Sequence, residues 1–260
     1  MNGTALSKDG LAVRYETQGG GSPALVFVHG WSCNRSFWNG QMEPFSRAHQ
    51  IVVVDLGGHG DSGLDRTDWT IASFGDDVAS VADQLDLNQM ILIGHSMGGD
   101  IILEAARRLP GRVLGLVWVD AYKQLEGSRV GDVGAFTAPF RENFVERTRT
   151  YVRGLFPAES DAALVERVAK HMSSAPPQVG LSSLVSALTY YPAIVPTLRE
   201  LGLPVIAINP DYKPTDVASL EKHGIQVHIL PGTGHFLMME RPDRFNDVLR
   251  TALRHLGKEP

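Results

Sequence analysis

The chain has 260 residues, 24 Lys and Arg against 29 Asp and Glu, a formal charge of -5, 43% hydrophobic residues and one cysteine. A chain of this length buries enough surface to need neither disulfides nor a structural metal, and it fits one α/β domain carrying an insertion. The acidic balance offers no basic field to nucleic acid, and the lone Cys33 can form no internal disulfide, in keeping with a reducing compartment.

The first ten residues lack the basic and apolar regions of a secretory leader, and no stretch reaches the roughly 18 uninterrupted apolar residues of a membrane span. The expectation is a cytoplasmic protein that does not insert into a membrane; a homo-oligomer is left open. In chain order, residues 11–17 alternate Leu, Val and Tyr with polar partners and run into Gly19-Gly20-Gly21-Ser22-Pro23, which predicts an antiparallel edge strand and a turn. Short apolar runs follow at 24–28, 51–54, 90–93, 113–119, 205–208 and 227–230. Their β-branched, non-alternating composition predicts parallel strands covered on both faces. Helical stretches at 71–87, 97–109 and 244–256 lie between or after them, which is the α/β pattern. From 122 to 201 no strand is predicted, only helices around 136–155, 161–172 and 181–190, punctuated by Pro139, Pro157, Pro176, Pro177, Pro192 and Pro196. This segment is expected to be a helical cap, on a core formed by 1–121 and 202–260.

The chemistry concentrates at Gly94-His95-Ser96-Met97-Gly98, a G-x-S-x-G motif directly after an apolar strand and before a helix. Glycines two residues either side of Ser96 permit a sharp turn that lifts its hydroxyl above the sheet edge, making Ser96 the candidate nucleophile. A serine hydroxyl needs a base, and His235, in the glycine-rich loop 231–236 after the last strand, falls where the order Ser, acid, His puts one. Backbone amides stabilise the oxyanion because they are fixed before charge develops. Met97, next to the nucleophile, and Trp31, in the turn His29-Gly30-Trp31, are the candidate donors. Trp31 and Trp38 also suit aromatic packing in a core or pocket wall. His29, His59 and His95 suit loop bracing, no histidine pair stands at metal-ligand spacing, and Cys33 suits a core thiol; neither a metal nor a cofactor is expected.

His29-Gly30-Trp31, the run 55–62, Gly94 to Gly99, and Gly232 to Phe236 followed by Glu240-Arg241-Pro242 occur in the order of the α/β-hydrolase fold, and the chain resembles its capped esterase and haloperoxidase-like members from about 24 to 256. The resemblance implies a mostly parallel eight-stranded sheet flanked by helices, with the cap inserted after strand six. One departure stands out: Gly57 occupies a position where the family usually carries arginine. By the same resemblance the acid commonly follows strand seven, yet Lys213 stands at that position, with Asp211 two residues before it and Asp216 three after. Some members carry the acid after strand six, where this chain has Asp120. Asp120 is favoured, Asp211 is the alternative acid, and Asp216 ranks behind both.

The expected activity is serine hydrolysis of a small-molecule carboxylic ester through an acyl-enzyme and a Ser-His-Asp triad. A cofactor-free perhydrolase or haloperoxidase-like activity on the same triad, or a slow-turnover small-molecule receptor, are the alternatives. Phe136, Phe140, Phe144, Leu155, Phe156, Leu188, Tyr190 and Tyr191 are candidate pocket walls in the cap.

Overall fold

The computed structural model describes residues 1–127 and 130–257; positions 128 and 129 of the expected cap and 258–260 of the expected core lie outside the described residues. Eight strands form one sheet: β1 (Asn2–Leu6), β2 (Ala12–Gln18), β3 (Ala24–Val28), β4 (Ile51–Val54), β5 (Met90–His95), β6 (Val113–Val119), β7 (Val205–Pro210) and β8 (Ile225–Leu230). Their spatial order is β1-β2-β4-β3-β5-β6-β7-β8, with β1 and β2 antiparallel and the remaining six parallel. Every residue of β3, β4, β5 and β7 is buried, which is why those runs do not alternate. β2 does alternate, with Val13, Tyr15 and Thr17 inward, because only one of its faces meets the core. β1 has no apolar alternation to announce it. It pairs with β2 in a register that sets Gly3 opposite Tyr15, whose ring fills the space a side chain at position 3 would need.

Helices α1 (Asn39–Ser46), α2 (Ile71–Gln84) and α3 (Gly98–Arg108) follow β3, β4 and β5. Between β6 and β7 the chain carries α4 (Val133–Glu142), α5 (Phe144–Arg153), α6 (Ala162–Ser173), α7 (Pro177–Tyr190) and α8 (Ile194–Leu201); α9 (Val217–Glu221), α10 (Leu237–Glu240) and α11 (Pro242–His255) complete it. The helical stretch expected around 136–155 is two helices, and the break is not at Pro139, which lies inside α4, but at Asn143, which leaves helical geometry and whose side chain accepts the Glu146 N–H at 3.1 Å, capping α5. Asp161 caps α6 in the same way through the Ala163 N–H at 3.0 Å. The run Pro177–Leu201 is apolar and long enough for a membrane span, but a tight turn at Tyr191–Ala193 divides it, and α7 packs against α2 and α4 while α8 packs against α3.

The glycine at position 57 has a structural answer. Arg66 brings its guanidinium from another loop into the space a side chain at 57 would occupy: a Cβ there would lie 2.9 Å from Arg66 Nη1. Arg66 donates to the fully buried Asp77 at 3.0 and 2.5 Å, and Asp77 also accepts from the Gly57 N–H at 2.9 Å and the Ser7 hydroxyl at 2.6 Å. Removing one partner of a buried pair strands the other charge, so Arg66→Met is expected to cost about 3 kcal/mol or more in urea unfolding. Arg153→Met, at an exposed pair with Glu166, is expected to leave the midpoint in place.

Candidate active site

Ser96 sits on a strand-to-helix elbow between β5 and α3 with φ at 53°, a left-handed conformation that costs energy for any residue with a Cβ. Two glycines make the elbow close. A Cβ at Gly94 would lie 2.3 Å from the Gly98 carbonyl oxygen, and one at Gly98 would lie 2.6 Å from the carbonyl oxygen of Val28 on β3. The Ser96 N–H donates to the Val119 carbonyl at 3.0 Å, tying the elbow to β6, and the Ser96 side chain opens into a cavity of about 430 Å³.

His235 lines that cavity too, in the loop after β8. Its Nδ1–H donates to Asp120 Oδ2 at 2.6 Å. Asp120, directly after β6, has φ at 45° and donates its own N–H to the Ile208 carbonyl on β7 at 3.0 Å. Its second oxygen pairs with Lys123 Nζ at 2.8 Å. Burial pushes the Asp120 carboxyl up, but hydrogen bonding and charge from His235 and Lys123 outweigh it and hold the group below the usual carboxylate range.

The alternative acid, Asp211, does not meet the imidazole. It is exposed, and its carboxylate accepts the Gly232 N–H at 2.8 Å, bracing the base of the histidine loop. Asp216 caps α9 through the Ser219 N–H at 3.0 Å. Asp211 follows β7 as directly as Asp120 follows β6, but its carboxylate braces a turn and that of Asp216 caps a helix.

Three other groups hold the histidine loop. The His235 N–H donates to the Leu155 carbonyl at 2.9 Å, from the segment after α5. The Gly234 N–H donates to both carboxylate oxygens of Glu240 at 3.0 Å, and Ser160 donates to the same carboxylate at 3.2 Å. His95 packs its ring 4.6 Å from that of His235 and donates Nε2–H to the His235 carbonyl at 2.9 Å. His29 accepts the Leu56 N–H on Nε2 at 3.1 Å, so its Nδ1 carries the proton and donates to the Gly30 carbonyl at 2.8 Å. His59 Nδ1 lies 2.9 Å from the Gly57 carbonyl. These are the bracing roles expected of the three. The sequence marks Leu155 as a cavity wall and Glu240 within a family landmark, but nothing in it singles out the contacts that they make with the histidine loop, nor the ion pair of Lys123 with Asp120.

Gly30 allows the β3 turn to approach the elbow: a Cβ there would lie 2.9 Å from His95 Nδ1 and 3.2 Å from Ser96 Cβ. Trp31 and Met97 flank this gap, and among the described residues neither backbone N–H has a protein partner. The Trp31 indole is a cavity wall, donating Nε1–H to the Gly180 carbonyl of α7 at 2.7 Å with its ring edge-on to Phe140, Phe144 and Tyr151. Trp38 is core, packed on Phe27 and Phe245. Of the candidate walls, Phe136, Leu155, Leu188 and Tyr191 line the cavity, whereas Phe140, Phe144, Phe156 and Tyr190 pack behind it. Cys33 lines it as well, but burial pushes its thiol up, so it stays protonated and donates to the Trp31 carbonyl at 3.4 Å. Among the described residues no three His, Cys, Asp or Glu side chains converge as a metal site requires.

Comparison with known proteins follows the same lines. A model of the alpha/beta hydrolase family matches residues 25–248. The dihydrolipoyllysine-residue acetyltransferase component of the acetoin cleaving system of Cupriavidus necator is 28% identical over 96% of this chain and 67% of its own length. The non-heme chloroperoxidase of Streptomyces lividans is 37% identical over 46% of this chain, and the match spans only 44% of that protein. A solved N-acyl homoserine lactone degrading enzyme is 25% identical and superposes with a TM-score of 0.81, covering 96% of this chain and 99% of the other.

The buried histidines dictate an acid sensitivity. Burial holds His29, His59 and His95 below the ordinary histidine value, His95 down to about 3, so the folded chain resists protons that the unfolded chain takes up near 6.5. Stability is therefore complete above that value and falls as pH drops below it, by up to about 4 kcal/mol per pH unit if all three act together. Urea unfolding between pH 7.5 and 5 is expected to show this steep loss; a flat profile would contradict the neutral, buried assignment.

Proposed function

This chain belongs to the alpha/beta hydrolase family, and on that premise we propose that it is a serine hydrolase cleaving small-molecule carboxylic esters through an acyl-enzyme. The observation that carries the reading is the 2.6 Å hydrogen bond from His235 to Asp120, on a histidine that shares its cavity with Ser96. With Nδ1–H given to the carboxylate, His235 Nε2 keeps its lone pair and takes the Ser96 proton as the hydroxyl attacks the ester carbonyl. The Trp31 and Met97 amides donate to the oxygen as it becomes negative. His235 then passes the proton to the departing alkoxide, leaving an acyl group on Ser96. A water, deprotonated by His235, releases the acid and restores the hydroxyl. A cavity of about 430 Å³ with mostly apolar walls fits a small molecule.

The chloroperoxidase likeness favours one second reading, in which hydrogen peroxide replaces that water and the product is a peracid. Peroxide-dependent halide oxidation faster than ester hydrolysis would select it. For hydrolysis, Ser96→Ala and His235→Ala are each expected to lower kcat/KM on p-nitrophenyl esters by about 10,000-fold or more, with the far-ultraviolet circular dichroism unchanged. Retained turnover in either variant would contradict the mechanism.

A further inference from the structure

We infer that the cavity selects substrates carrying a carboxylate, and that Lys213 is the residue that binds it. The inference rests on the serine-hydrolase reading and adds the substrate class to it. Asp120, Lys123 and Lys213 bring one carboxylate and two ammonium groups to the cavity wall. Asp120 and Lys123 neutralise one another at 2.8 Å, Lys123 also donates to the Pro210 carbonyl at 3.1 Å, and the other Asp120 oxygen is taken by His235. Lys213 has no carboxylate partner among the described residues. Its ammonium lies 5.2 Å from the centre of the Tyr212 ring, which also carries that of Lys123 at 5.4 Å.

The acids nearest Lys213 along the chain are already engaged, Asp211 by the Gly232 N–H and Asp216 by the Ser219 N–H. Neither of those acids lines the cavity, whose wall carries one carboxylate against two ammonium groups above otherwise largely apolar residues, a positive balance that focuses the field on an entering anion. Lys213 is exposed, so it stays hydrated until a ligand arrives and no buried charge is left unpaired in the empty site. A half-ester of a short aliphatic dicarboxylic acid suits this arrangement, its ester at Ser96 and its free carboxylate at Lys213.

The test compares monomethyl glutarate with methyl pentanoate, esters matched in chain length, by proton release at constant pH. The wild-type protein is expected to favour the anionic ester in kcat/KM by about threefold to fivefold, an advantage carried by KM, as one exposed ion pair supplies. Added salt shrinks the preference. Lys213→Met brings the ratio near one, and Lys213→Glu reverses it. A wild-type ratio of one or less, or a ratio unmoved by Lys213→Met, overturns the inference. Calorimetric binding of monomethyl glutarate to Ser96→Ala and to Ser96→Ala/Lys213→Met reads the subsite without turnover. Equal affinities overturn the inference while leaving hydrolysis standing. Hydrolysis persisting in Ser96→Ala overturns the serine mechanism while a difference in affinity still supports the subsite.

Discussion

The hydrogen bond between Asp120 and His235 joins two residues 115 positions apart, and the strand order of the sheet makes it possible. β5, β6, β7 and β8 lie side by side and parallel, so Ser96, Asp120 and the loop bearing His235 all emerge at one carboxyl edge. Both Ser96 and Asp120 turn away from their strands with positive φ, a conformation costing roughly 1–2 kcal/mol for a residue with a side chain. That strain persists because each is over-determined: the Ser96 N–H is held by Val119, the Asp120 N–H by Ile208, and the Asp120 carboxylate by His235 and Lys123. Two strained residues facing one cavity, each locked by the neighbouring strand, stand where the proposed chemistry needs fixed groups.

The helical segment between β6 and β7 does more than roof this centre. Its Leu155 carbonyl receives the His235 N–H, its Gly180 carbonyl receives the Trp31 indole, and its Ser160 hydroxyl reaches the Glu240 carboxylate that holds Gly234. A side chain at Gly234 would strike the Leu155 carbonyl oxygen at 2.6 Å and Pro157 at the same distance, so the base loop and this segment are fitted to one another. The cavity walls and the position of His235 are thereby coupled, and movement of α5 or α7 would shift the imidazole as well as the pocket.

Of the six parallel strands, β3 to β7 were legible because burial on both faces removes alternation and leaves short β-branched runs between turn residues, while β8, an edge strand with Gln226 and Ile229 exposed, showed only as a short apolar run. Ser96 and His235 stood out as candidates because their surroundings are local, glycines around one and the end of a strand before the other, and the structure brings both to one cavity. β1 was not, since its place depends on Tyr15 covering Gly3 from the next strand, and five residues without a pattern carry no such signal. The acid stayed divided between Asp120 and Asp211 because the choice turns on which strand end faces the imidazole, a tertiary fact. The space beside Gly57 is filled by Arg66, nine residues on, through a loop whose path has no period to read. Within 136–155 the break was expected near Pro139 and falls instead at Asn143, where one side chain capping a new helix ends the one before it.

The pairing of Asp120 with His235 is open to a direct measurement that needs no knowledge of the natural substrate. A fluorophosphonate bonds covalently to an activated serine and expels fluoride, and its rate of attachment to Ser96 can be followed by mass spectrometry in Asp120→Asn and in Asp211→Asn. Asp120→Asn is predicted to slow labelling by about 1,000-fold or more, since the imidazole loses the carboxylate that fixes its tautomer. Asp211→Asn, which disturbs only a turn, should label within a few-fold of the wild-type rate. The reverse order, with Asp211→Asn inert and Asp120→Asn still reactive, would contradict the assignment.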